Sequence, residues 1–416
     1  MTKTLKDIQD KLDSNEAAVF TADELKTKLK NGEKLTVDDV DVVTCGTSGV
    51  MSGTTALLHI PVSEPGEFNK AKEVYINGIE AYPGPCPNEL LGTIDVFLYG
   101  TNHSSTIKDY GGGFLIKDLL NHKEVEVKVV DIEGNEFRNT VTLDDMPTAR
   151  LIGTRMAFKN YNSFTNPKPK AVKSIFNASD MEGPYNSFSF SGCGDINPLE
   201  NDPDQLVIKE SAKVLVNGAQ GRIIDNGTRS TDEKPNLLLT ANMRDMNPYY
   251  MGGFKTAMGP EIFNSVAIPI PVLNDEILEN LKVLNKDIQL PVCDIRGRHL
   301  PIDTVDYTVW DDVDYRPLTN PDNCFSCIPC LPEIYCPVNA YRKDKTIDMD
   351  LCVGCGYCAT VCPRGVPSIN MGSIKIHAEE KDRTIPVTCR QSDKKRAIEI
   401  SMELKKQILD GSFKLE

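Results

Sequence analysis

The sequence predicts an α/β or α+β large domain of mixed strands and helices, followed by a small cysteine-rich module. Three observations predict it. Helix-period and strand-period stretches alternate over residues 1–300 with no internal repeat. Eight of the thirteen cysteines fall between Cys324 and Cys362. The 416 residues exceed one ordinary core and fit two or three domains.

The elements follow in order. Residues 4–30 read as amphipathic helices, with Thr21 ahead of Asp23 and Glu24 as a cap. VDVVTC (40–45) reads as a strand that runs into a glycine-bearing loop. EVYINGI, TIDVFLYG, VEVKVVDI, AKVLVNG and GRIIDNGTRS read as further strands, with Asn-Gly turn signals at 77–78, 217–218 and 226–227. GGGFLIKDLLN (111–121) opens a helix on glycines that could cradle an anion or simply turn the chain. Residues 159–173 carry no period and two prolines, and read as a loop. Residues 273–285 and 391–409 read as helices, with Asp393 as the cap of the second. Arg222 and Arg229 flank a turn, where they could fork a carboxylate or lie in solvent.

The composition, 40% apolar and 25% charged, is that of a globular protein. Its 46 basic and 60 acidic side chains leave a net charge of −14. That surface repels phosphate backbones and anionic lipid, so neither nucleic acid nor membrane is expected as a partner. A small acidic substrate meets a local field and is not excluded. The polar start lacks the apolar core of a secretory signal. The best apolar stretch, SVAIPIPVL (265–273), is short and broken by prolines. A cytoplasmic protein is expected.

In a reducing compartment, clustered cysteines mean metal rather than disulfides. The spacing is Cys324-x2-Cys327-x2-Cys330-x5-Cys336-Pro337, then Cys352-x2-Cys355-x2-Cys358-x3-Cys362-Pro363. The second half matches the bacterial ferredoxin run letter for letter. Three thiolates two residues apart wrap one cube, and the fourth serves the other. Cluster one then takes Cys324, Cys327, Cys330 and Cys362. Cluster two takes Cys352, Cys355, Cys358 and Cys336. Gly354 and Gly356 let backbone amides approach the sulfurs. Zinc on the CxxC pairs is the competing reading. The first half has two extra residues before Cys336. The resemblance to two-cluster ferredoxins implies two [4Fe–4S] clusters and a β-α-β-β-α-β fold over residues 320–372.

A wider resemblance covers nearly the whole chain. VVTCGTSGVMSGTTALLHIPV, PGPCPNELLG, DVFLYGTNHS, NLLLTANMRDM, AIPIPVLN and RQSDKKRAIEISMELKKQILDGSF resemble the homocysteine-biosynthesis family of anaerobes, best known as aspartate-semialdehyde sulfurtransferase. With the ferredoxin module, the chain resembles the methanogenesis marker 16 group of methanogenic archaea. The family's closing element resembles residues 376–416. The resemblance therefore implies a large domain over 1–317, a ferredoxin insertion over 318–373, and a helical return over 374–416.

Five cysteines lie outside the cluster module. A reactive thiol needs a depressed pKa and access. Cys45 precedes a Gly-Thr-Ser-Gly loop whose amides could favour a thiolate. Cys86 stands between Pro85 and Pro87, which suits a helix N-terminus. Cys193 sits in a glycine setting beside Asp195. These three are the candidate catalytic thiols, although a small buried residue is the competing reading for Cys45. Cys293 and Cys389 read as core. The family places one working cysteine after the methionine of its G-T-x-G-x-M stretch, where this chain has Ser52. The second belongs to a segment whose counterpart here, GNEFR (134–138), has none.

The resemblance implies an iron–sulfur redox protein of archaeal sulfur metabolism. It would put sulfide sulfur into a small aldehyde or acid, giving a homocysteine-type product with electrons from the two clusters. The implied partners are a ferredoxin-like or other redox protein as donor and a small-molecule substrate. The alternative is a non-catalytic electron-delivery or maturation factor for a methanogenesis enzyme or cofactor.

Overall fold

The long strand Gly259–Pro271 is the spine of a fourteen-stranded sheet. The computed structural model describes residues 2–84, 89–159 and 161–415. Along one edge the spine pairs antiparallel with Val42–Val50, from Phe263 opposite Val50 to Pro271 opposite Val42. Along the other it pairs with Lys213–Val216. The sheet continues through Ala219–Asn226, Leu237–Asn242, Ala149–Met156, Thr54–Pro61 and Thr93–Tyr99. Thr54–Pro61 alternates buried and half-buried residues, as a strand with one face on the core must. Thr21 caps the helix Ala22–Lys30 through a reciprocal pair with Glu24, as the sequence suggested.

Val42–Val50 is buried along almost its whole length, so the loop expected at 46–49 is strand. Its glycines answer to packing rather than turning. The C-terminal helix Lys394–Leu409 lies directly on it: a Cβ on Gly46 would stand 2.1 Å from the Ala397 carbonyl oxygen. The Thr44 hydroxyl donates to the Ser401 carbonyl at 2.9 Å across the same contact.

A second sheet of six strands follows the order Pro301–Asp306, Gln289–Asp294, Ser163–Thr165, Phe188–Phe190, Lys381–Arg390, Ser373–Ala378. Ser163–Thr165 lies in the segment expected to be loop. Its parallel pairing with Val292–Asp294 is a long-range contact that no local pattern announces. The core of this sheet centres on Phe190 and Trp310, whose rings meet edge-on at 5.2 Å.

The cysteine module leaves and rejoins the body at one place. Leu318–Thr319 pairs antiparallel with Pro367–Ser368. Between them lie two five-residue helices, Leu331–Tyr335 and Tyr357–Val361, and an isolated bridge from Tyr341 to Ile347. The elements thus run strand, helix, one bridge, helix, strand, where the sequence suggested β-α-β-β-α-β over 320–372. The chain then returns through the hairpin Ser373–Ala378 and Lys381–Arg390 before the final helix, so the return is not helical throughout. Among the described residues, no helix is long and apolar enough to cross a membrane.

Candidate functional site

The eight module cysteines line two separate cavities. Cys324, Cys327, Cys330 and Cys362 share one of about 210 Å³. Cys336, Cys352, Cys355 and Cys358 share a narrower one. Cys362 thus lies with Cys324, Cys327 and Cys330, and Cys336 with Cys352, Cys355 and Cys358. Among the described residues no three ligand side chains converge on a single-ion point. Each cavity thus has the four thiols that a [4Fe–4S] cube takes as ligands. Amides already aim at the sulfurs: Ser326 N reaches Cys324 Sγ at 3.3 Å and Ala340 N reaches Cys336 Sγ at 3.1 Å. Tyr341 borders both cavities.

The two cavities face different surroundings. The Cys324 side is outermost: Cys327 is exposed, and Ile328 is 98% exposed. The Cys355 side is sealed against the large domain, where Val353, Cys355 and Tyr357 pack with Phe254, Phe263 and Cys389. The Lys255 amide donates to the Pro337 carbonyl at 2.8 Å, which ties the large sheet to this face.

From the inner cavity a short backbone run leads to a cleft. The Arg390 N–H donates to the Cys355 carbonyl at 3.0 Å, and the next residue, Gln391, lines the cleft. The Val50 amide donates to the Gln391 carbonyl at 2.9 Å, so the strand that carries the family's glycine-rich stretch ends there too. The cleft holds about 610 Å³, within the range of small-molecule sites. Arg155, Lys159, Arg229, Lys234 and Arg298 line it. So does Ser52, the residue standing where the family's cysteine is expected. Behind Ser52 is the buried carboxyl of Glu261. Burial raises its pKa, and hydrogen bonding from the Ser52 hydroxyl opposes the rise.

Arg390 is fully buried between the two sites. Its Nη1 donates to the Asp314 carbonyl at 2.7 Å and its guanidinium lies 4.8 Å from the centre of the Trp310 ring. Burial lowers its pKa to about 10, while the nearby Cys355 favours its charge. Three residues on, Asp393 caps the final helix through Arg396 N. It also holds Arg316 by two bonds of 2.9 and 2.7 Å.

The candidate thiols lie elsewhere. Cys45 is in mid-strand, fully buried, and burial pushes its pKa up to about 12 against the opposing charge of Lys26. Cys193 is also fully buried, and burial pushes its pKa up to about 11. Ser48 N and the Thr47 hydroxyl approach its sulfur at 3.5 and 3.8 Å. Its neighbour Ser191 lines the cleft, but Cys193 does not. Neither thiol has the access or the depressed pKa of a nucleophile. Cys86 lies outside the described residues. Cys293 and Cys389 are buried, as expected of core. Gly111–Gly113 serve close packing, since a Cβ on Gly112 would stand 2.2 Å from the Tyr99 carbonyl oxygen. Of the cleft's cations only Arg229 drew notice in the sequence, through its turn. The others sit on separate elements, and no local signal marks them.

Fold and site together define a mixed α/β protein in which a ferredoxin-like cysteine module abuts a cationic cleft. The chain belongs to the family described as homocysteine biosynthesis enzyme, sulfur-incorporation, whose model matches residues 17–415. A protein of Methanothermobacter thermautotrophicus is 50% identical over 99% of this chain and 94% of its own. The L-aspartate semialdehyde sulfurtransferase of Methanocaldococcus jannaschii is 30% identical over 70% of this chain and 58% of its own. The pyruvate synthase subunit PorD of Methanothermobacter marburgensis is 39% identical over 49 residues, 12% of this chain and 58% of its own. No solved structure matches.

Proposed function

We propose that the protein is a reductive sulfur-insertion enzyme, which converts a small aldehyde and sulfide into a thiol. The observation that carries this reading is the junction at Arg390 and Gln391: one residue bonds the loop of the inner cysteine set, and the next walls the cleft. In the balanced reaction one aldehyde, one hydrogen sulfide, two protons and two electrons give one primary thiol and one water. The carbon–oxygen double bond is lost, one carbon–sulfur bond forms, and the aldehyde carbon is reduced by two electrons. Two [4Fe–4S] clusters, held by the two cysteine sets, would supply those electrons one at a time.

The chain's own residues have separable tasks. The cationic cleft binds and orients the acid group of the substrate. Ser52, with Glu261 behind it, holds a proton near the cleft wall, where the carbonyl oxygen must leave as water. Sulfur enters as free sulfide, and Cys45 and Cys193 are sealed away from the cleft. The exposed rim of the outer set, with Phe325 and Ile328, is where a redox protein delivers electrons.

The test is anaerobic turnover. Reduced protein with full iron, given sulfide and either L-aspartate semialdehyde or succinic semialdehyde, yields a thiol with two electrons consumed per molecule. Iron-replete protein that forms no thiol from either aldehyde removes the proposal. A stable stoichiometric protein partner in its place would favour the electron-delivery role.

A further inference from the structure

The cations that line the cleft stand without carboxylate partners. Among the described residues, no ion pair engages Arg155, Lys159, Arg229, Lys234 or Arg298, although the protein carries many such pairs elsewhere. Lys234 Nζ donates to a neutral group, Asn162 Oδ1, at 2.8 Å. Asn162 Nδ2 in turn donates to the Arg298 carbonyl at 3.1 Å, so one amide holds two arms of the cleft. The guanidinium groups of Arg155 and Arg298 lie over the rings of Phe158 and Phe176, at 4.8 and 5.2 Å from their centres. Stacking holds a guanidinium in place and leaves its N–H fork free for a ligand. Arg155 Nε is buried with no partner among the described residues. Burial and the neighbouring Arg229 both lower the Arg155 pKa, as uncompensated like charges do.

No Asp or Glu among the described residues lines the cleft. Glu261 lies behind Ser52, and burial favours its neutral form. In a protein with 60 acidic and 46 basic side chains, five unpaired cations around one concavity are not a sample of the average surface. An α-ammonium group placed there would meet repulsion from the cations and find no carboxylate to receive it.

We infer that the cleft selects a small organic anion with no ammonium group, so the substrate is not an amino acid. The inference rests on the proposed sulfur-insertion reading and specifies its substrate class. The positive lining draws the substrate in, and two or more arginine forks hold the anionic end away from the reacting carbon. Discrimination comes from repulsion of the wrong ligand as much as from attraction of the right one.

Succinate and L-aspartate make the test, since they share a four-carbon diacid frame and differ by one ammonium. Binding to the full holoprotein is measured by titration calorimetry at pH 7.5 in low salt. Succinate is expected to bind at least about tenfold tighter than L-aspartate, the scale of one charge-assisted contact. Arg229→Gln and Arg155→Gln should each weaken succinate by about tenfold and narrow the difference between the two ligands. If Arg155→Gln fails to fold, Lys234→Gln on the exposed rim makes the same comparison. Equal or tighter binding of L-aspartate overturns the inference. So does binding of neither diacid, or succinate binding untouched by the cleft substitutions. The two readings separate cleanly. Selective succinate binding without thiol formation from any aldehyde leaves the cleft's preference standing and removes the reaction. Thiol formation with L-aspartate bound as well as succinate does the reverse.

Discussion

The Arg390 amide hydrogen-bonds the Cys355 carbonyl at 3.0 Å, and the same residue's guanidinium is buried beside the Trp310 ring. Backbone contact and buried positive charge thus meet at the inner cysteine set. A buried cation stabilises the more negative, reduced form of a nearby centre. Arg390→Gln should lower the midpoint potential of one of the two centres and leave the other unchanged, as read by anaerobic spectroelectrochemistry. Equal shifts in both, or none, would show that Arg390 does not act on the inner set.

The sealed thiols give a second prediction. Cys45→Ser and Cys193→Ser bury a hydroxyl, at a cost of about 1–3 kcal/mol each. Melting temperatures should fall, while thiol formation per folded molecule and iron content stay at the wild-type level. Cys86→Ser is measured alongside. Loss of turnover there alone would show that the Cys86 thiol takes part in the reaction, and loss at Cys193 would mean that the wall behind Ser191 opens.

Asp393 and Arg316 form a buried pair at the join between the module and the final helix. Asp393→Asn removes the charge and leaves Arg316 without its counterion. Breaking such a pair costs about 3–5 kcal/mol, much more than an exposed pair. The expected result is a large drop in melting temperature by calorimetry. The exposed pair Arg138–Glu126 is the control, and Glu126→Gln should leave the transition nearly in place.

Glu261 sets the pH dependence. Its raised pKa keeps the carboxyl protonated above the ordinary range near 4.5. A step that uses the acid should slow as pH rises through that raised value, and run fastest below it. Glu261→Gln should abolish this limb of the kcat/KM profile and reduce the rate by about 10²-fold or more. Ser52→Ala should shift the limb to higher pH, since the hydroxyl favours the ionised form. An unchanged profile in Glu261→Gln rules the carboxyl out as the acid.

Much of this was legible in the chain. Thr21 and Asp393 read as caps because a cap is a three-residue event. Cys45 to Gly49 misled because Gly-Thr-Ser-Gly has turn chemistry. The reason for Gly46 lies at the far end of the sequence, where Ala397 leaves no room for a Cβ. Ser163–Thr165 misled for a related reason, since two prolines follow it and its strand partner is at Val292–Asp294.

By itself, the sequence determined the cysteine module. Ligand spacing within a loop is local, and the eight thiols line two cavities, four to each. Only the tertiary structure decided what that module faces. Arg155, Lys159, Arg229, Lys234 and Arg298 come from three distant segments, and none carries a mark of the others. Their convergence without a counter-charge, one residue from the backbone that seats Cys355, is a product of sheet pairing and burial, and no local pattern encodes it.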